Sequence, residues 1–572
     1  MEKIKKLRNI FEKFKIDGYL IPKNDEYFCE YVSDFNDRLK FISTFSGSFG
    51  IAVVLKKNNY LFVDGRYTTQ ANQESGRHFK IKTLPYQKPK DLLNSKNLKI
   101  GYDPKLFTFN SLNYLFKGTK CKLVPLKDNL IDYIWRKKKI INVKKFYTLP
   151  NNSVGQNFVQ KLKKVIFEIK KKKADFLFIT SSENNAWFLN LRGHDTKYTP
   201  LPFGHMLVSA KKELKFFCNL KKISNSLKLK FKNINFIDIK YTEENLKKLI
   251  NKKIIIDNKT CSIYFQNIIL KNNFKLKFED PIYHLKSIKS KIEIKNMMKS
   301  HIADGVALTK YLFWIKSNFS KKKITEISGE KKLLKFRKKN KNFKFLSFPT
   351  ISGSGRNGAI IHYNATNKTN RVLKKGDIYL VDSGGQYNFG TTDVTRTISL
   401  GNSNKRIKEI FTRVLKGHIA VTNYSLKKNS TGSLLDSKAR KYLKQINLDY
   451  PHGTGHGVGY FLNVHEGPHA ISKNNKVTLK KGMVVSNEPG YYEKNNFGIR
   501  IENLIFVNQY KNKKFFENFT LVPIDKDLIN YSLLNRTEKY WLNKYHDKVF
   551  NKLRKYMGKK DLSKLSSACS AI

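Results

Sequence analysis

Two acid-bearing hairpin patterns constrain this chain more than any other feature. In DIYLVDSGGQYNFGTTDVTRTISL (377–400) two β-rich runs flank a polar turn around Tyr387 and Asn388. A hairpin centred there sets Asp382 opposite Asp393, and directly opposed positions hold their Cβ atoms about 4.5–5.5 Å apart. Carboxylates forced together repel unless a proton or cation compensates. Taken alone, this segment also suits two edge aspartates pointing apart. The arrangement then recurs in NEPGYYEKNNFGIRIENLIFV (487–507), where a loop centred on Asn495 sets Glu488 opposite Glu502. The chain has 111 Lys and Arg against only 45 Asp and Glu, so two such hairpins point to a shared purpose.

Four of the twelve histidines fall between these hairpins, in HGTGHGVGYFLNVHEGPH (452–469). The glycines disfavour a helix, which leaves His452 and His456 on a loop or irregular strand able to approach a ligand closely. An imidazole with several carboxylates suits Mn²⁺, Co²⁺, Fe²⁺ or Zn²⁺, and four carboxylates can bridge two ions. Two such cations about 3.5–4 Å apart stabilise both the attacking and the developing oxygen of a hydrolysis.

The remainder of the chain sets the context. Its 572 residues, 40% of them hydrophobic, imply several domains with their own cores. Helix and strand signals alternate over residues 1–150, including GIAVVLKKNNYLFVDGRYTTQANQ (50–73), which reads as two strands and a helix start. A similar cycle restarts at 151–285 with a helix, the strand DFLFIT and a helix start at SSENNAWFLNLRG, as a duplication would produce. Long helical periodicity near 286 opens a third domain, 286–572, that holds nearly all the chemistry.

The net charge of +66 comes from lysines scattered through nearly every segment. The basic runs at 136–140 and 169–175 are expected to be solvated faces, and no aromatic-basic platform for nucleic acid stands out. Five dispersed cysteines without CxxC spacing suggest neither a disulfide framework nor a thiolate zinc site. The first residues lack the unbroken apolar core of a signal peptide, and no apolar run reaches about 18 residues. The expectation is a cytoplasmic protein without a membrane span.

VDSGGQYNFGTTDVTRT, HGTGHGVGYFLNVHEGP, NEPGYY and GIRIEN closely resemble the dinuclear metallopeptidases of the pita-bread fold, specifically the three-domain Xaa-Pro aminopeptidases. The likeness extends to FPTISGSGRNGAIIHY, DGRY, AWFLNLRG and YWLNKYH. It implies two N-terminal creatinase/prolidase-like α/β domains before an α+β pita-bread catalytic domain with a C-terminal extension. It further implies release of the first residue from short peptides with proline second, by a hydroxide held between two divalent ions, Mn²⁺ first and Zn²⁺ or Co²⁺ as alternatives. Asp382, Asp393, His456, Glu488 and Glu502 match the metal ligands, with Asp393 and Glu502 bridging and Glu488 also taking the water's proton. His362 matches the histidine that steadies the tetrahedral intermediate, and His465 one that contacts the scissile peptide. His452 and Arg500 match residues around the proline and the substrate backbone.

A homodimer is also expected from the resemblance alone. His469 matches no assigned position and is expected at the surface. Arg356, in GRNG, stands where relatives often carry proline, and GKKDLSKLSSACSAI (558–572) carries no interpretable motif. Two alternatives remain open: a prolidase with the same ligands, and an inactive peptide-binding relative.

Overall fold

The computed structural model describes residues 2–94, 96–135 and 143–572, and the basic run at 136–140 lies outside them. Internal contacts divide the chain into two compact units, one of residues 1–150 and 156–283, the other of 151–155 and 284–572.

The first unit contains two six-stranded mixed sheets. In spatial order the first runs Lys80–Leu84, Asn59–Asp64, Ile51–Leu55, Gly18–Pro22, Lys99–Tyr102, Lys122–Pro125. The second runs Ile234–Asp238, Leu214–Cys218, Gly204–Ser209, Phe176–Ile179, Lys253–Ile256, Phe274–Lys277. Both place their earliest strand third from the later edge, pair it antiparallel on one side and parallel on the other, and end in parallel pairs. Identical connectivity is the structural counterpart of the repeated helix and strand cycle in the sequence. The strands Ile51–Leu55 and Asn59–Asp64 and the helix Thr68–Ser75 form where the pattern of residues 50–73 expects them.

The second unit opens on the helix Lys291–Asn318, whose start is fixed by a capping box between Ser290 and Glu293. The helix Glu326–Lys338 follows. Behind them stand a three-stranded antiparallel sheet (Ile351–Ser354, Ile378–Ser383, Val394–Ser399) and a five-stranded one. The latter is ordered Glu466–Ile471, Gly455–Gly457, Val484–Asn487, Asn503–Tyr510, Lys513–Asn518. A separate hairpin pairs Gly490–Glu493 with Phe497–Arg500. The amphipathic helices Lys405–Thr422 and Gly432–Lys444 and the helix Arg536–Leu553 supply apolar faces to this unit's cores.

One buried cation joins the sheets to the C-terminal region. Arg396 is 1% exposed. Its guanidinium donates to the carbonyls of Thr395, Glu502, Val522 and Pro523, to Asn503 Oδ1 and to the Tyr545 hydroxyl, at 2.7–3.1 Å. Planar arginine, with five N–H donors, satisfies several carbonyls at once where lysine cannot.

The same unit encloses neutral imidazoles. Burial lowers His301 and His469 to about 4 and His418 and His546 to about 3, from an ordinary 6.5. Each therefore takes up a proton on unfolding below pH 6.5, so its contribution is present above that value and lost as the pH falls toward 4. The expected slope is about 1.4 kcal/mol per pH unit for each histidine. Urea midpoints between pH 7 and 4 would show it, and His469→Gln should flatten the slope by about one proton.

Candidate active site

The first acid-bearing hairpin forms, with its turn one residue later than the sequence suggests. Asp382 pairs with Thr395 and Ser383 with Val394, while Gln386 pairs with Thr391 and Tyr387 with Gly390. The turn therefore lies at Asn388 and Phe389. Asp393 comes to lie diagonal to Asp382 rather than directly opposite it. Because side chains alternate along a strand, the two still share a face, and their carboxyl groups are in contact.

The second hairpin keeps the expected register. Asn487 pairs with Asn503 and Gly490 with Arg500. Glu488 and Glu502 fall at matching positions between those two ladders. Asn495 takes the left-handed conformation (φ 64°) that the short loop requires, and asparagine tolerates it.

His456 lies on the three-residue strand Gly455–Gly457. Its Nδ1 is 3.0 Å from the carbonyl of Gly457, which can only accept, so Nδ1 carries the proton and Nε2 keeps its lone pair. That lone pair faces Asp393 Oδ2 at 3.5 Å and Glu488 Oε1 at 3.4 Å. Ligand atoms of Asp393, His456 and Glu502 lie within 4.8 Å of one another. Asp382 joins the group through Asp393, and its Oδ1 is buried with no hydrogen-bond partner among the described residues. Lone pairs converging in a largely buried site repel unless a proton or a cation lies between them. The donor set fits hard or borderline divalent metal.

The electrostatics agree. Burial holds Asp393 well above the usual carboxylate range, and the neighbouring charges of Asp382 and Glu488 push it further. Glu502 is raised by burial and by Asp393, Glu488 and Asp382. Burial also raises Glu488, against the opposing pull of His456 and Arg500.

The partners of these acids include residues that the sequence motifs did not single out. Thr395, across from Asp382, donates to Glu502 Oε2 at 2.8 Å and accepts from Arg500 Nε at 3.0 Å. Ser486 donates to Glu488 at 3.0 Å and accepts the His456 N–H at 2.9 Å. Arg500 holds Asp382 Oδ2 at 2.7 Å and reaches the Tyr492 hydroxyl at 2.6 Å. Tyr492 in turn lies 2.9 Å from His452 Nε2, so it connects Asp382, through Arg500, to His452. Strand parity around Arg500 and Asp382 was the available signal for both Tyr492 and Thr395.

The other histidines divide. The His465 ring is 4.3 Å from the His456 ring. The carbonyl of Ile361, next to His362, is 3.4 Å from Arg500 Nη2, which brings the main chain before His362 to the site's edge. His469 is not at the surface. It is 1% exposed, and its Nε2 donates to the Val484 carbonyl at 2.8 Å. Its ring lies against Gly457, where a Cβ would come within 2.6 Å of the ring and 2.2 Å of the Glu466 carbonyl. Glycine at 457 thus permits the close packing that sets the backbone beside His456. Arg356 is exposed while the adjacent Asn357 is buried, so the departure from the common motif lies on the outer side of that turn.

Comparison with known proteins places these features. Residues 295–509 match Metallopeptidase family M24, 515–572 its C-terminal region, and 3–133 and 137–293 the Creatinase/Prolidase N-terminal domain. A probable Xaa-Pro aminopeptidase P of Laccaria bicolor is 38% identical over 96% of this chain and 90% of its own length. The chain belongs to the Xaa-Pro aminopeptidases of metallopeptidase family M24. Xaa-Pro aminopeptidase 1 of Dictyostelium discoideum is 36% identical over 96% of this chain and 93% of its own. Among solved members, the X-prolyl aminopeptidase of Caenorhabditis elegans, described as a cytosolic enzyme with a di-nuclear active site, superposes with a TM-score of 0.94 at 30% identity, covering 100% of this chain and 99% of the other. A prolidase of Pyrococcus furiosus covers only 62% of this chain, with a TM-score of 0.51 at 26% identity. The full-length match separates the Xaa-Pro aminopeptidases from the shorter prolidases. The C-terminal segment without a motif of its own belongs to a region the family shares.

Proposed function

We propose that the protein releases the first residue of short peptides whose second residue is proline, using two divalent cations, Mn²⁺ in the first instance. The reading rests on one observation above the others: the Nε2 lone pair of His456 faces the carboxylates of Asp393 at 3.5 Å and Glu488 at 3.4 Å, in a cluster that Glu502 completes. Asp382, Asp393, His456, Glu488 and Glu502 would hold the ions. Bound there, the pair would supply Lewis-acid charge and lower the pKa of water.

The chain's own groups do the rest. Water's oxygen bonds to the scissile carbonyl carbon, its proton passes to Glu488, and the C–N bond breaks as that proton reaches the proline nitrogen. Burial raises the proton affinity of Glu488, which favours this part. His362 steadies the tetrahedral intermediate, His465 contacts the scissile peptide, and His452 and Arg500 border the proline and the backbone. An Xaa-Pro bond lacks the N–H that extended-strand recognition uses, so a dedicated pocket for the ring is needed.

We also read the chain as three domains, 1–150, 151–285 and 286–572, as a homodimer, and as a cytoplasmic enzyme without a nucleic-acid partner. Among the described residues no helix is long and apolar enough to cross a membrane. The test is cleavage of an Xaa-Pro-Xaa peptide by chelated protein and again after Mn²⁺ is added, with Xaa-Ala-Xaa and an Xaa-Pro dipeptide as controls. Metal-restored cleavage of the proline tripeptide is expected; cleavage of the dipeptide alone would make the protein a prolidase.

A further inference from the structure

Glu326 lies at the first position of the helix Glu326–Lys338, after the N-cap Thr325, and is fully buried. Its partners converge on one segment. Oε1 accepts from the Ser354 N–H at 2.8 Å and from Asn357 Nδ2 at 3.1 Å. Oε2 accepts from the Arg371 N–H and the Tyr363 hydroxyl, both at 2.8 Å, and from Asn357 Nδ2 at 3.0 Å. The backbone adds two ties: the Glu326 N–H donates to the Arg371 carbonyl at 3.0 Å, and Ser352 Oγ donates to the Glu326 carbonyl at 2.9 Å. Ser354, Asn357, Tyr363 and Arg371 bracket His362 on both sides, and Tyr363 is its immediate neighbour.

Every group facing the two oxygens is a donor. An ionised carboxylate accepts at both ends, whereas a glutamine NH₂ at the Oε1 end would meet the Ser354 N–H and at the Oε2 end the Arg371 N–H and Asn357 Nδ2, with only the Tyr363 hydroxyl able to accept from it. The site is thus built for an acceptor-only side chain, and the helix N-terminus behind it favours the negative charge. Burial raises the carboxyl's pKa, while the bonds from Ser354, Arg371, Tyr363 and Asn357 oppose the shift.

We propose that Glu326 is a positioning residue of the reaction, acting through His362: it fixes the 354–371 segment so that this imidazole is held at the reacting carbonyl. The inference rests on the role given to His362 above. A small displacement of a positioned group can cost about 10- to 100-fold in rate.

The experiment uses the metal-loaded full chain and compares wild type, Glu326→Gln, His362→Ala and the double variant on the proline tripeptide. Glu326→Gln is expected to lower kcat about tenfold or more with KM and bound metal unchanged, and to cost less than about twofold once His362 is already alanine. An equal loss in both backgrounds, or none in wild type, overturns the proposal. Imidazole ¹H–¹⁵N spectra give a reading that does not depend on turnover: Glu326→Gln should move the His362 signal, identified from His362→Ala, and leave those of His418 and His469 in place. An unmoved His362 signal overturns the proposal even if the substrate assignment is wrong. Tyr363→Phe, which removes one donor and keeps the ring, should shift the same signal less and serves if Glu326→Gln does not fold.

Discussion

Asp393→Asn should lower kcat/KM on a proline tripeptide by about 10³-fold or more, equivalent to about 4 kcal/mol of transition-state stabilisation. The reasoning is electrostatic. Asp393 touches Asp382, lies 3.5 Å from His456 Nε2 and shares a cluster with Glu502, so its charge bears on three other members of the site at once. Asparagine keeps the shape but removes a charge and one of the two anionic oxygens available to bridge cations. Elemental analysis of the purified variant should find less than two equivalents of metal per chain. Near-normal turnover with two ions retained would show that the cations sit elsewhere.

The largest expected effect on stability is at Arg396. Arg396→Met should destabilise the second unit by about 3 kcal/mol or more, because the carbonyls of Thr395, Glu502, Val522 and Pro523 lose a buried donor together. Two of those carbonyls belong to Glu502 and to the threonine that bonds its side chain. The variant should therefore also need more metal to reach full activity. Chemical denaturation with and without Mn²⁺ checks both statements; an unchanged midpoint would mean that water replaces the guanidinium.

Much of the site was legible because strand periodicity and turn chemistry are local. KNN with a following glycine marks a loop, and Asn495 at φ 64° confirms the centre from which Glu488 and Glu502 were placed. The first hairpin was harder: GGQYNFG has glycine on both flanks, so the turn could slide by a residue, and it did. His469 was misplaced because the expectation rested only on its matching no assigned position, whereas its burial depends on a glycine in another strand, Gly457. Arg396 and Glu326 were not legible at all, since their partners lie far along the chain or in irregular backbone, where no period links them. The paired sheets of the first unit lie between these cases: the repeat of helix and strand signals is visible, whereas strand order is set by long-range pairing.

The partners of Arg396 also set an order of events during synthesis. The chain is made from its N-terminus, and all five acid and histidine donors precede the Tyr545 hydroxyl and the Val522 and Pro523 carbonyls that complete the guanidinium's shell. A nascent chain that has reached Glu502 carries all five proposed ligands without the buttress that holds two of the strands together. On that assignment the site reaches its full rigidity only once residues 522–545 have folded onto the sheets.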